Sequence, residues 1–524
     1  MQIHRALLLL SVFLLTGCVV GPNYRAPQTS LPGDFNGSVT NALTTATTQP
    51  TTRQANVTVD LTHWWISLQD PELNSLVERA VQSNLDLQIA GARLQEARSL
   101  EAAVGGGVVP VLGYSPGIDM AAAAGRGSGT DSTRNRIPGP LHAGSNTGGL
   151  KEITHVVGFD AGWELDLFGR FSRTVEAAQA DTQAYYEARN DVLISLVAEV
   201  VRDYVDLRAL QLRLEIAREN VEIQRQTARL VGVKFRNQLA NNLEVALAQR
   251  QLSATQSLIA PLQAAVSQAQ RRLATLLGLY PEQLRNELES AAALPATPPQ
   301  VGPGMPVELV RRRPDIRRAE RQVAAATARI GVATSDLFPR LAITAGAGFQ
   351  GQGLGRTPVE NSLVWSVGPA FYWPVLDFGR LDAVVTAQDY QTQQMLYGYK
   401  KSIINAVREV DDALANYSAE QDHLAQLAVA VDYGKRAVVL ANERFNNGLT
   451  PLLDVMDAER QLYGLEDQYA VAEEALLQQF VALYKALGGG WEGFEAPPLP
   501  RAPRPAIFAA GARTIGGKAT IAQH

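Results

Sequence analysis

Two long stretches of the chain place apolar residues at alternating steps of three and four, which is the spacing of a coiled-coil seam. The seam residues are Leu193, Val197, Val200, Tyr204 and Leu207 in the first stretch, and Ile403, Val407, Val410, Leu414 and Tyr417 in the second. From position 172 to 239 the chain has no proline and one glycine. This pattern predicts a helix of about 60 to 70 residues, roughly 100 Å long.

Each seam is followed by a short polar interruption and then by a second helical pattern. The interruptions lie at 236–240 and 446–450, and the patterns that follow end near Leu277 and Leu487. Both stretches are therefore predicted to form long helical hairpins. Pro261 should kink the first hairpin, because a proline inside a helix removes a backbone hydrogen bond.

Segments with a period of two residues precede the hairpins. Apolar residues alternate with glycine or polar residues in four segments, 112–120, 157–165, 341–350 and 363–373, the last of them interrupted by Pro369. Such segments are typical of transmembrane β-strands that face lipid on one side and a wet lumen on the other.

Four strands cannot close a barrel, and an open edge in lipid would leave backbone groups unpaired. Several subunits must therefore share one barrel. Two copies would give eight strands and a lumen filled by side chains, whereas three copies would give twelve strands and room for a pore. This arithmetic favours a trimer.

The hairpins and their strands are two copies of one unit. The segment 163–170, which starts with Trp and ends in Phe-Gly-Arg, recurs without gaps at 373–380, and the same offset of 210 maps Leu277-Gly278 onto Leu487-Gly488. A fixed offset of this kind indicates an internal duplication. The expected organisation is a signal peptide (1–17), a lipidated linker (18–60), two repeats of helix, two strands and hairpin (61–290 and 291–490), and a C-terminal tail (491–524).

The N-terminus has the layout of a secretory signal peptide, with a basic start, an apolar run and small residues. Leu15-Thr16-Gly17-Cys18 resembles the bacterial lipobox, whose cysteine takes a diacylglycerol, and Cys18 is the only cysteine. The alternative is an ordinary signal peptide followed by an incidental cysteine. Lipoproteins of this kind that carry Asp after the cysteine usually stay in the inner membrane, so Val19 favours the outer membrane.

Composition argues against catalysis and against nucleic-acid binding. Charged residues make up 19% of the 524 positions and the net charge is −5, so no basic excess attracts nucleic acid. The six histidines are scattered without metal-ligand spacing, and no nucleophile motif is found. We expect no enzyme activity, no metal and no cofactor other than lipid on Cys18. The arginines at 311–313, 317, 318 and 321 are predicted to form a solvated helix face rather than an anion site.

Several short motifs occur in an order that resembles the TolC-type outer-membrane efflux factors, specifically the lipoprotein branch associated with resistance-nodulation-division pumps. They are Gly21-Pro22-Asn23-Tyr24, Trp64-Trp65, Arg313-Pro314-Asp315-Ile316, Phe338-Pro339, Asp377-Phe378-Gly379-Arg380 and the segment 484–491. The resemblance covers the chain from Cys18 to about Trp491. It implies a mainly α-helical homotrimer whose subunits each add four strands to a shared twelve-stranded transmembrane β-barrel, with a helical tunnel through the periplasm. It also implies a periplasmic adaptor (membrane fusion) protein and an inner-membrane resistance-nodulation-division transporter as partners.

The second hairpin tip is the candidate gate. Asp454 and Asp457 share a helix face, and three-fold symmetry would gather six carboxylates at the mouth, where they would attract cations. The resemblance assigns Leu453, Asp457 and Arg460 to the closed tip, and Asp454 with Asp457 to an acidic ring. The alternative is a solvated start of a helix, where acidic side chains interact favourably with the helix dipole and have no gating role. Asp457 maps to Leu247 in the first repeat, as expected if only one hairpin moves.

Lys234, Asn237, Arg444 and Gly448 lie at the predicted tips and are candidate adaptor contacts, because a partner at the end of a duct reaches those loops. The predicted function is a passive exit duct of a tripartite efflux system, lipid-anchored in the outer membrane with a long periplasmic extension. The alternatives are a type I protein secretion duct, which the lipobox disfavours, and a coiled-coil envelope lipoprotein, which would need no strands. The sequence leaves the exported substrate open.

Overall fold

The computed structural model describes residues 19–27, 61–121, 152–296, 312–352 and 363–494, so Cys18 lies outside the described residues. The first half consists of a 3-10 turn (Trp64–Leu68), α1 (Pro71–Ser83), α2 (Leu85–Gly106), β1 (Val111–Ala121), β2 (Glu152–Leu165), α3 (Arg170–Arg236), α4 (Asn242–Gln256), α5 (Ile259–Leu276) and α6 (Pro281–Leu284). The second half consists of α7 (Pro314–Ser335), β3 (Arg340–Gln352), β4 (Leu363–Tyr372), α8 (Arg380–Asn446) and α9 (Leu452–Ala486).

The predicted duplication is confirmed by the lengths of these elements. Helices α3 and α8 have 67 residues each and start 210 positions apart, while α2 and α7 have 22 residues each. The second helix of each hairpin also begins and ends at matching positions. It is continuous in α9 and divided into α4 and α5 in the first repeat.

The division between α4 and α5 confirms the predicted effect of Pro261. The interruption falls at Ser257 and Leu258, where the Leu258 N–H bonds to the carbonyl oxygen of Thr255 at 3.1 Å, three residues earlier, instead of four. Pro261 has no N–H for the carbonyl of Ser257, and its ring crowds that carbonyl. The matching position in α9 is Val471, which keeps its N–H, so that helix continues.

The main hydrophobic core lies where α1, α3 and α9 meet. Trp64 is buried there and stacks on Tyr484 with ring centroids 5.4 Å apart. Tyr204 of α3 donates a hydrogen bond to Asp70 Oδ2 at 2.7 Å, and the other oxygen of Asp70 accepts the first backbone N–H groups of α1. The core extends to the start of the C-terminal segment, because Phe494 stacks on Trp65. This core ties both repeats together in one chain.

Helix α7 packs between α3 and α8. Arg317 pairs with Glu187 at 2.7 Å and Arg318 with Asp191 at 3.2 Å, both on α3. The predicted solvated arginine face is therefore wrong, since these side chains join α7 to α3. The two acidic residues are four positions apart on α3, and they reach the arginines only because α3 and α7 pack side by side. The hydrophobic period of each helix does not specify that packing.

The four predicted strands are confirmed as one antiparallel sheet in the order β1-β2-β3-β4. The predicted interruption at Pro369 is wrong, because β4 continues through it with Pro369 opposite Ile343. Within the sheet of a single chain β4 is the edge strand, and proline is tolerated there because one side makes no ladder hydrogen bonds inside the chain. Among the described residues, no helix combines the length and hydropathy needed to cross a bilayer.

Candidate functional site

The sheet presents one continuous apolar face. Its register aligns Tyr114, Phe159, Ala347 and Trp365 in one row across all four strands, because successive residues of a strand point to opposite sides. Neighbouring rows on this face are equally apolar, for example Leu112, Ala161, Ala345 and Val367. The larger of these side chains are exposed. An exposed apolar surface of this extent needs a non-aqueous environment or a partner.

The opposite face of the sheet is small and polar. The row beside the aromatic one consists of Gly113, Asp160, Gly346 and Ser366. Gly158 and Gly348 pair directly on this face, and a Cβ on Gly348 would lie 2.7 Å from the carbonyl oxygen of Val157. These two rows therefore have a close backbone approach and carry no aromatic side chain in front of the sheet.

The sheet leads directly into the long helices through two equivalent junctions. Gly169 and Gly379 precede α3 and α8 with φ of 80° and 82°, a conformation that glycine adopts without strain. Trp163 Nε1 donates to the Val108 carbonyl at 3.0 Å, and Trp373 Nε1 donates to the Leu337 carbonyl at 3.1 Å. Strand and helix directions are thus fixed in the same way in both repeats.

The two hairpin tips of one chain touch each other. Lys234 Nζ lies 3.9 Å from the ring centroid of Phe445, a cation–π contact between the end of α3 and the end of α8. A small core behind it contains Val231, Ala248, Leu452 and Met456. Of the four candidate adaptor contacts, the structure leaves Asn237, Arg444 and Gly448 exposed, and it engages Lys234 in this contact.

Sequence reasoning missed two exposed leucines at the same tips. Leu239 and Leu449 occupy equivalent positions in the two repeats and both are largely exposed. In the sequence, a leucine follows the turn in both repeats, at 239 and at 449, within the segments predicted as polar interruptions. The tips are therefore partly apolar.

The candidate gate residues lie in the first turns of α9. Leu453, Asp454 and Arg460 are exposed, and Asp457 is partly exposed. The carboxylate of Asp457 forms an ion pair with Arg460 on the same helix and accepts a hydrogen bond from Gln461 Nε2 at 2.6 Å. The structure thus brings Asp457 and Arg460 together, with Asp454 one turn earlier.

A further carboxylate near the gate was missed. Glu459 is buried two residues after Asp457, and burial raises the pKa of its carboxyl above the ordinary value. The equivalent residue of the first repeat is Gln249, so this difference between the repeats was the available signal. Within the described ranges, no group of three or more His, Cys, Asp and Glu side chains is placed to hold a metal ion.

Comparison with known proteins gives a consistent result. The family described as outer membrane efflux protein matches residues 76–279 and 305–489. Nodulation protein T of Rhizobium leguminosarum bv. trifolii is 30% identical over 490 residues, covering 91% of this chain and 96% of that protein. The cation efflux system protein CusC of Escherichia coli is 28% identical over 483 residues, with 91% and 97% covered. The solved structure of the outer-membrane channel OprN has a TM-score of 0.77 and 34% identity, and the match covers 90% of this chain and all of that one.

Proposed function

Because the chain belongs to the outer membrane efflux protein family, we propose that it is the exit duct of a tripartite efflux system, which passively passes substrates delivered by an inner-membrane pump. The observation that carries this proposal is a sheet with one apolar and one small, polar face that runs directly into 67-residue helices. Such a sheet suits a barrel wall with lipid outside and water inside. The helices, roughly 100 Å long, suit a tunnel through the periplasm.

Three copies of the chain would complete the barrel. The order of the sheet leaves the outer edges of β1 and β4 without a strand partner among the described residues, and an unpaired edge cannot persist in lipid. Pairing β4 of one subunit with β1 of the next removes both edges. A homotrimer then has twelve strands, and the glycine-rich face supports a lumen not filled by side chains.

The lipid anchor is proposed at Cys18, and the residues that follow it support its position. The Val20 N–H bonds to the Phe168 carbonyl at 3.2 Å, and Arg173 Nη2 bonds to Asn23 Oδ1 at 2.7 Å. These contacts hold the N-terminal segment beside the junction of β2 and α3. Acyl chains on Cys18 would therefore enter the lipid next to the proposed barrel.

The proposed partners meet the duct at the hairpin tips. Leu239 and Leu449 expose apolar surface there, and Asn237, Arg444 and Gly448 surround it with polar and backbone groups. A periplasmic adaptor protein with an apolar helical end fits this surface, because burial of apolar area drives association. The inner-membrane transporter, of the resistance-nodulation-division class, would connect through that adaptor.

The gate is proposed at Leu453, Asp454, Asp457 and Arg460. A duct open at rest would leak, and these residues lie at the start of the helix that continues from the second tip. The ion pair of Asp457 with Arg460 supplies opposite charges on one helix, which three-fold symmetry would repeat around the mouth. The acidic side chains would also favour cations at the entrance.

Single-channel conductance in planar bilayers tests the duct and its gate together. We expect purified wild type to be nearly closed and the Asp457→Ala/Arg460→Ala variant to conduct strongly. The matched control is Arg408→Ala/Asp412→Ala, which removes another exposed ion pair, of 2.7 Å, far from the tip on α8. Trimers that fail to conduct in both gate variant and wild type would contradict the proposal, and so would a control that conducts as strongly as the gate variant.

A further inference from the structure

Residues 19–27, here called the strap, lie across α7 at the place where it meets α3 and α8. The ring of Tyr24 packs against the buried cluster that joins α3 to α7 and against the cluster that joins α7 to α8. Val19 packs on the backbone of Gly169, just before α3, where a Cβ would lie 2.7 Å from the Val19 side chain. The strap therefore contacts both repeats, although it precedes them in the chain.

The guanidinium of Arg173, on α3, binds the strap. Its Nε donates to the carbonyl oxygen of Val20 at 3.2 Å, and its Nη2 donates to the carbonyl oxygen of Gly21 at 3.3 Å. The same Nη2 donates to Asn23 Oδ1 at 2.7 Å, while Nη1 pairs with Glu176 on α3 at 2.7 Å. Arg173 is only 3% exposed, and a buried guanidinium is costly unless its N–H groups are paired. The strap thus supplies three of the acceptors that satisfy this buried charge.

Two glycines bring the strap close to α7. Gly21 has a φ of 88°, a left-handed conformation that glycine adopts without strain. A Cβ on Gly21 would lie 2.5 Å from the Cα of Gly331 on α7, and a Cβ on Gly331 would lie 2.8 Å from Cγ and Cδ of Arg173. A larger residue at either position would therefore displace the strap or the guanidinium that binds it.

The hydroxyl of Tyr24 has its own acceptor on α7. It donates a hydrogen bond to Glu320 Oε1 at 2.8 Å, and the guanidinium of Arg321 lies 5.6 Å from the centroid of the phenol ring. Burial and the bond to Glu320 raise the pKa of Tyr24 above its ordinary value, so the hydroxyl remains a donor at neutral pH. Arg173, Gly331 and Glu320 together form one groove, which meets the strap through hydrogen bonds and a close backbone approach.

The duplicated helices do not carry the groove residues. Helices α8 and α2 have the same lengths as α3 and α7, but the positions equivalent to Arg173, Gly331 and Glu320 are occupied by other residues. These are Ala383, Ala102 and Gly91, in that order. The helices of this unit therefore form without the groove residues, and what the three residues share is their contact with the strap.

We propose that this groove is a peptide-binding site that recognises the Gly-Pro-Asn-Tyr sequence of the strap and does not depend on the lipid proposed at Cys18. Its ligand is a short peptide with a glycine in the left-handed conformation, a side-chain amide for Arg173 and a phenol for Glu320. Occupation of the groove fixes α7 against α3 and α8, so the strap stabilises the chain as well as tethering it. The site lies within one chain and does not require the trimer.

Fluorescence anisotropy of a labelled peptide with the sequence of residues 19–27 tests this recognition. The full-length variant Asn23→Ala/Tyr24→Ala weakens the docking of its own strap and retains the groove, so we expect it to bind the peptide saturably. Wild type should bind the peptide at least about tenfold more weakly, because its own strap competes at a high effective concentration. Adding Arg173→Ala to the variant should abolish binding, and so should Ala at positions 23 and 24 of the peptide.

Two outcomes of that titration would overturn the site. Equal binding to wild type and to Asn23→Ala/Tyr24→Ala, or binding that survives Arg173→Ala, would mean that the peptide attaches elsewhere. A folded Asn23→Ala/Tyr24→Ala variant that does not bind the peptide would also contradict the proposal. Circular dichroism melting establishes that each variant is folded.

Cleavage by trypsin after Arg25 tests the docked strap without added peptide. Arg25 is exposed, but a protease needs the neighbouring residues to leave the groove. Arg173→Ala and Gly331→Ala should raise the rate of this cleavage at least about tenfold, because the rate follows the population of undocked strap. The matched control is Arg170→Ala, which removes an arginine of the same junction that pairs with Asp336 at 3.3 Å instead of with the strap. It should be cleaved at the wild-type rate.

A chain without lipid separates recognition by the groove from anchoring by the lipid. Cys18→Ser behind the signal peptide of a protein without a lipid anchor should be cleaved after Arg25 as slowly as the lipidated protein. Cleavage as fast as in Arg173→Ala would overturn recognition that is independent of lipid, and so would a folded Arg173→Ala protein cleaved at the wild-type rate. These outcomes leave the proposed duct standing, whereas a chain that binds the peptide but neither trimerises nor conducts would refute the duct and keep the site.

Discussion

Met456→Ala should loosen the contact between the two hairpin tips of one chain. Met456 is buried at the start of α9, in the small core it forms with Leu452, Val231 and Ala248. Val231 and Ala248 belong to the first hairpin, and Met456 and Leu452 to the second. If opening moves only the second hairpin, this contact must break, so its strength sets part of the free energy that keeps the duct closed.

The size of the effect follows from the buried volume that the substitution removes. A buried Met→Ala change costs about 2–5 kcal/mol in a well-packed core. We take the lower end, about 2 kcal/mol, because the cluster is small and lies next to exposed turn residues that relax around the gap. If the whole cost falls on the closed state, the ratio of open to closed duct rises roughly 30-fold, since each 1.4 kcal/mol is about a factor of ten.

Open probability in planar bilayers measures this change directly. Val471→Ala is the matched control, because Val471 lies on the same helix, away from the tips, and is half exposed. Its open probability should equal that of wild type. Thermal melting of both variants establishes that the trimers are folded. A folded Met456→Ala trimer with wild-type open probability would refute the view that the tip core resists opening.

Two further predictions concern the sheet and the helix packing. Gly348→Ala places a Cβ 2.7 Å from the Val157 carbonyl oxygen, so it should cost about 1–3 kcal/mol and reduce SDS-resistant trimers on gels. Gly162→Ala, on the same face with open space around it, should assemble normally, and equal losses in both would contradict this reading. Burial, helped by the Asp206 carboxylate, raises the pKa of Glu474 from 4.5 to about 7 in the folded protein. The protonated carboxyl therefore contributes fully to the free energy of unfolding below the unfolded pKa, and this contribution is lost as pH rises through about 7. Glu474→Gln should therefore raise the free energy of unfolding at about pH 8 by about 1–2 kcal/mol, allowing for solvent screening. The melting temperature of this variant should differ less between about pH 5 and about pH 8 than that of wild type. An equal difference in both proteins would be inconsistent with this assignment.

The long elements of the fold could be predicted because their signals are local. Seam spacing and the absence of proline between 172 and 239 predicted α3 almost to its ends, and Pro261 predicted the break between α4 and α5. The alternation of apolar and small or polar residues was also sufficient to predict the strands, except at Pro369, which the sheet of a single chain accommodates in its outermost strand.

The candidate site was only partly predictable. The resemblance to the efflux factors pointed to Asp457 and Arg460, and their spacing of three allowed the ion pair observed on α9. The sequence did not predict that Lys234 contacts Phe445, because those residues are far apart in the chain and meet only when the two hairpins lie side by side. Glu459 was missed for the same reason, since its burial depends on packing around α9.

By itself, the sequence determined the lengths of the helices, the two-faced strands and the duplication, because hydrophobic period, proline and glycine act within a few residues of chain. The candidate gate residues came from the resemblance to the efflux factors. Only the tertiary structure decided the order and register of the four strands, the pairing of Arg317 and Arg318 with α3, and which faces of α2 and α8 remain uncovered. Those features depend on contacts between separate segments of the chain, such as Arg318 with Asp191 or β2 with β3, and a one-residue change of strand register would exchange the two faces of a strand. The two repeats have nearly the same local pattern, and packing alone distinguishes the helix that is buried from its duplicate that is exposed.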